Sequence, residues 1–205
     1  MRHTPMRRRM ASLSFALLVT LSAPMAWSSN TPVAGSFHGC APGGNPAQTT
    51  NALKNRASQV AAPTQSTIAE LSALPTTGPM VATLRSQGVF VEGFLVAAKQ
   101  EGKESCNCGD ATLHDFHVWL ADQSGQTKQA AAVVEVTPRW RAANPGWKLA
   151  TLQHLISQKA KVRLTGWRYL DPNHQNQVGL TRASRWEIHP ITKFEVFNAG
   201  SWTEL

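Results

Sequence analysis

From about residue 88 onward, apolar and polar positions alternate with a period of two, as in strands that bury one face. VFVEGFLVAAK (89–99) is a β-rich run with Gly93 at its centre, where a glycine permits a bulge or a sharp coil. DFHVWLAD (115–122) and AAVVEVTP (131–138) alternate on either side of the turn-forming DQSGQT and predict a hairpin. In NPGWKLATLQHLISQKA the period changes, because Leu149, Leu152, Leu155 and Ile156 recur at helical spacing. KVRLTGWRYL (161–170) and RASRWEIHPITKFEVF (182–197) return to strand character, separated by the long turn DPNHQNQVG.

The N-terminal third has a different grammar. Residues 1–28 read as an export signal peptide: Arg2, Arg7, Arg8 and Arg9 precede an apolar run from Ala11 to Ala23, and small residues follow. That run is shorter than the roughly 20 residues of a membrane span, and no later stretch is long and apolar enough for a transmembrane segment. Residues 29–79 are rich in Gly, Pro, Ser, Thr and Asn and predict a partly disordered arm with short helices near NALKNRA and QSTIAELSAL. Residues 80–205 suffice for one compact domain. The formal charge of +8 also shrinks on this reading. Without the signal, 16 basic residues face 12 acidic ones, a balance of +4 that permits a nucleic-acid partner but argues only weakly for one.

The order of three strands, a helix and two strands resembles the OB-fold, a mainly β, five-stranded Greek-key barrel with one helix between strands 3 and 4. The resemblance rests on element order over residues 88–197 and on the central Gly93. It implies an OB-like domain that binds an oligonucleotide, an oligosaccharide or a protein on its outer face, and it carries no site residues. ESCNC, VEVTPRW, TGWRYLDPNH and RWEIHPITKFEV also resemble segments of exported bacterial proteins of an uncharacterised family.

Alternation predicts a polar patch on that barrel. With Phe116, Val118 and Leu120 turned to the core, Asp115, His117 and Trp119 share the other face. Matching hydrophobic faces puts Glu135 and Thr137 beside them, since a slip of one residue would expose the core. Glu187 and His189 join the patch if Trp186 and Ile188 face inward and the third and fifth strands are neighbours. Asp115, His117, Glu135, Glu187 and His189 form a mixed nitrogen and oxygen set suited to a divalent metal such as Zn²⁺ or Mn²⁺. Such an ion activates water for hydrolysis, which gives an alternative reading as a metal-dependent phosphodiesterase or nuclease. In the competing reading these residues merely pair with Arg139 or Arg185. Arg139 and Arg141 are candidate phosphate contacts, and Trp119, Trp140, Trp147 and Trp167 serve either as stacking platforms or as packing.

The chain has three cysteines. In an oxidising compartment the expected disulfide joins Cys40 to Cys106 or Cys108, because a bond between the two near neighbours would close a strained ring. No Gly-rich phosphate loop, G-x-S-x-G elbow or Cys-x-x-Cys pair is present. No serine presents itself on the polar face either, so catalysis there is metal-dependent or nothing.

Overall fold

The computed structural model describes Met1 and residues 30–205. The rest of the expected export signal, residues 2–28, lies outside the described residues. The elements run α1 (Thr49–Lys54), β1 (Thr64–Gln65), α2 (Ile68–Ala73), α3 (Met80–Arg85), β2 (Gly88–Gln100), β3 (Phe116–Ala121), β4 (Ala132–Val136), α4 (Pro138–Ala143), α5 (Leu149–Ser157), β5 (Lys161–Leu170), β6 (Trp186–Asn198) and β7 (Ser201–Glu204).

Five strands close a barrel in the order β2-β3-β4-β6-β5, with β5 pairing back onto β2. Every neighbouring pair is antiparallel except β4 with β6, which run parallel through Val134 and Ile188. This is the expected mainly β barrel, and α5 lies between its third and fourth strands as the leucine spacing requires. Gly93 sits where β2 leaves β5, its partner over Gly88–Phe94, and joins β3, its partner over Phe94–Gln100. A Cβ there would lie 2.3 Å from the carbonyl oxygen of Ala121, so the crossing is open only to glycine. Val91, Val118, Val134, Leu164, Ile188 and Phe194 are among the fully buried side chains of the interior.

Residues 30–79 wrap the barrel, and their short helices are real. The Thr67 hydroxyl accepts from the Glu70 backbone N–H while the Glu70 carboxylate accepts from that of Thr67, a capping box that starts α2. Ile68 and Leu71 of α2 then enter the main core cluster. Three indoles fasten the arm: Trp140, Trp167 and Trp186 donate their Nε1–H to the carbonyls of Arg56, Ser58 and Pro75. A buried indole needs such an acceptor, and here the arm supplies it. The packing role considered for the tryptophans therefore holds for these.

A disulfide between Cys40 and Cys108 ties the arm to the β2–β3 connection, and Cys106 is the buried free thiol. The bond spans 68 residues, and by chain entropy that cross-link stabilises the fold by about 4 kcal/mol. Urea unfolding with and without reductant should show a loss of this order. An unchanged midpoint would mean that the arm is held without it.

Candidate functional site

The predicted polar patch assembles, but beneath a roof. His117 and Glu135 are direct cross-strand partners, and the parallel pairing of β4 and β6 brings Glu187 and His189 beside Glu135. Trp186 and Ile188 face the core as required. Asp115, His117, Glu135, Glu187 and His189 are all buried, His189 completely. The cover comes from α1 and from the β2–β3 connection, laced together by polar side chains. Asn55 donates to the carbonyls of Pro42 and Cys106, and Ser105 donates to Asn51. Lys54 of α1 reaches in to Glu104 at 3.0 Å.

His189 lies between two carboxylates. Its Nε2 is 3.4 Å from Asp115 Oδ2 and its Nδ1 is 3.7 Å from Glu187 Oε2. Neither contact has hydrogen-bond geometry, so both ring nitrogens of this buried imidazole, and Asp115 Oδ2, lack hydrogen-bond partners among the described residues. Asn107 holds the other oxygen of Asp115 at 2.9 Å. Arg182 bridges Glu187 at 2.6 Å and Asp171 at 2.8 Å, and Asp171 also meets His174. His117 donates Nδ1–H to Glu101 at 2.7 Å, with Glu135 Oε1 at 3.4 Å, and its Nε2 has no hydrogen-bond partner among the described residues.

Burial and like charge govern the titrations. Glu135 is pushed well above the usual carboxylate range by burial, reinforced by Glu187, Asp115 and Glu104. Burial also raises Glu104, with Asp115 adding to it and Lys54 opposing. Burial disfavours the charged forms of Asp115 and His189 as well, but their mutual contact outweighs it, lowering the carboxyl and raising the imidazole. Burial lowers His117 despite the Glu101 bond, while that same bond from His117 holds Glu101 down at about 2. A neutral imidazole donating to an ionised Glu101 satisfies both shifts.

Glu135, Glu187 and His189 each offer a ligand atom, all within 4.8 Å of one another. That is the footprint of a divalent cation with three protein ligands and an open position. Asp115 behind the far ring nitrogen supplies the carboxylate that commonly orients a ligating histidine. Glu135 and Glu187 border a cleft of about 480 Å³, whose lining also includes His117 and Arg182, and His189 lies buried behind them.

Other sequence candidates fall outside this cleft or are occupied. Thr137 is buried at the entry to α4, and Arg139 donates to the carbonyls of Gly35 and Cys40. Arg141 donates to those of Val136 and His114. Neither arginine is placed to meet a phosphate in the cleft. Trp119 borders the cleft, yet His117 stacks on its ring at 4.2 Å, Lys128 Nζ lies 4.0 Å from its centroid, and its Nε1–H goes to the carbonyl of Thr181. Glu101, Glu104, Lys54 and Arg182 were not singled out by the sequence.

No known protein family and no curated protein matches the chain. Among solved structures, the OBody AM3L09 bound to hen egg-white lysozyme is similar over 67% of this chain and 98% of its own, at 15% identity and TM-score 0.37. Aspartyl tRNA synthetase from Entamoeba histolytica is similar over 62% of this chain at 12% identity and TM-score 0.33, and the match spans 21% of that enzyme. Likenesses this distant leave the functional argument to the cleft itself.

Proposed function

We propose that this chain is an exported OB-like barrel that binds its ligand in the cleft and acts as a divalent-cation-dependent phosphodiesterase. One observation carries the reading. Where Glu135, Glu187 and His189 converge, Nδ1 of a fully buried imidazole and Glu135 Oε2 lack hydrogen-bond partners among the described residues. Leaving such groups unsatisfied costs about 1–3 kcal/mol each, an expense that a cation would recover. The mixed nitrogen and oxygen donors suit Zn²⁺ or Mn²⁺.

The cation, when bound, supplies Lewis-acid stabilisation of a phosphoryl oxygen and activation of water. The chain's own residues do the rest. Asp115 orients the His189 ring and Arg182 fixes Glu187. His117, held by Glu101 and packed on Trp119, borders the cleft as a group able to take and return a proton. An oligosaccharide fits less well, because the ring of the bordering Trp119 is already engaged by His117 and Lys128. The disulfide supports export to an oxidising compartment. Among the described residues no helix is long and apolar enough to cross a membrane.

Hydrolysis of bis(p-nitrophenyl) phosphate should appear with Mn²⁺ or Zn²⁺ and vanish with EDTA. A cation that binds without any turnover of phosphodiester or aryl ester would leave a binding protein and remove the enzyme. The titrations add a second test. Glu135 and His189 have raised pKa values in the fold, so the stability they contribute is fully present below their ordinary values of 4.5 and 6.5 and is lost as pH rises through the raised ones. Asp115 and Glu101 are lowered, so theirs is lost only in acid, as pH falls through the folded values. His117 is lowered and opposes His189 over the same window, so the balance rests on the raised acids Glu135 and Glu104: metal-free protein should melt at lower temperature at about pH 8 than at about pH 5, and millimolar Mn²⁺ should erase most of the difference.

A further inference from the structure

The rim of the cleft is as basic as its floor is acidic. Lys99, Lys103 and Lys128 border it, and all three are exposed. Two of them are held in place. Lys128 Nζ lies 4.0 Å and Lys99 Nζ 5.9 Å from the Trp119 ring centroid, and Glu101 holds Lys99 at 3.0 Å. Trp119 is itself immobile, buried to 5% exposure, stacked on His117 and hydrogen-bonded to Thr181. The ring thus acts as a pedestal that fixes two ammonium groups at the mouth of the cleft.

We infer that Lys99, Lys103 and Lys128 form a subsite for the phosphates flanking the scissile one, and that the ligand is a single-stranded polyphosphodiester bound without regard to sequence. The inference rests on the cation reading of the floor, since without a cation Glu135 and Glu187 would repel a phosphate. Three ammonium groups beyond the cation exceed what the single charge of an isolated diester requires, and successive backbone phosphates meet them. Lysines are compact point charges without a fixed fork, so they follow a flexible backbone rather than read a base.

The test is binding of a fluorescent, phosphorothioate-protected oligothymidylate to the full chain in Mn²⁺ over a salt series, beside calorimetric Mn²⁺ titration of the same samples. Three contacts predict a slope of log K against log salt of about −2, and K99A/K128A should reduce it by about 1.4 and weaken binding at low salt by roughly tenfold or more. Inorganic phosphate and thymidine monophosphate should compete only weakly. An unchanged slope and affinity in the double variant, or a monophosphate that binds as tightly as the oligomer, would overturn the subsite while Mn²⁺ binding stood. A failure of Mn²⁺ to bind would instead strike the cation reading.

Discussion

Glu135→Gln should make the metal-free protein more stable and weaken its hold on the cation sharply. Ionised Glu135 is buried beside Glu187, Asp115 and Glu104, and only Lys54 among its strongest influences opposes them. Glutamine keeps the shape and removes the charge. Above neutral pH the gain should be about 1 kcal/mol or more, because an unfavourable buried charge is replaced by a neutral isostere. Cation affinity should fall about 100-fold, since one of three protein ligands is lost. Gains in stability at the expense of function mark residues kept for their chemistry. Urea unfolding at about pH 8 without metal, together with calorimetric Mn²⁺ titration, separates the two effects. A variant that is less stable and still binds the cation would mean that Glu135 is a structural partner of His117.

Arg182→Met should act in the opposite sense. The guanidinium is 1% exposed and joins Asp171 to Glu187. Removing it strands two buried carboxylates, which costs roughly 3–5 kcal/mol. The same loss makes the neighbourhood of Glu187 more negative, so the cation should stabilise this variant more than it stabilises the native protein. Melting curves with and without Mn²⁺ test this directly. Equal shifts in the two proteins would place the cation away from Glu187.

The barrel was legible because the strands alternate over most of their length, although β6 switches parity between Ile188 and Ile191, both in the core. KVRLTGWRYL matches β5 residue for residue, and the parity of the hairpin set Glu135 against His117. The same rule carried Glu187 and His189 to that face, since Trp186 and Ile188 could not both be inside otherwise. What the sequence hid was the roof. Gly-, Pro- and Asn-rich segments look unable to pack, yet Asn51 and Asn55 are buried because their amides satisfy backbone carbonyls around the turns. A period of two says nothing about where a loop returns, so Lys54, Glu101, Glu104 and Arg182 escaped notice. Trp119 misled for a related reason. Its neighbour His117 on the polar face follows from alternation, but Lys128 over the ring and the Thr181 carbonyl that takes its Nε1–H come from separate segments. The short elements β1, β7, α3 and α4 are too brief to establish a period.

Purification without chelator, followed by metal analysis and calorimetric Zn²⁺ and Mn²⁺ titration of native protein and of Glu135→Gln, bears most directly on the whole account. One cation per chain in the native protein, largely lost in the variant and accompanied by a rise in melting temperature, is the predicted result. A native protein that takes up no divalent ion, and whose melting EDTA leaves unmoved, would show that the acids and imidazoles under the roof serve only one another.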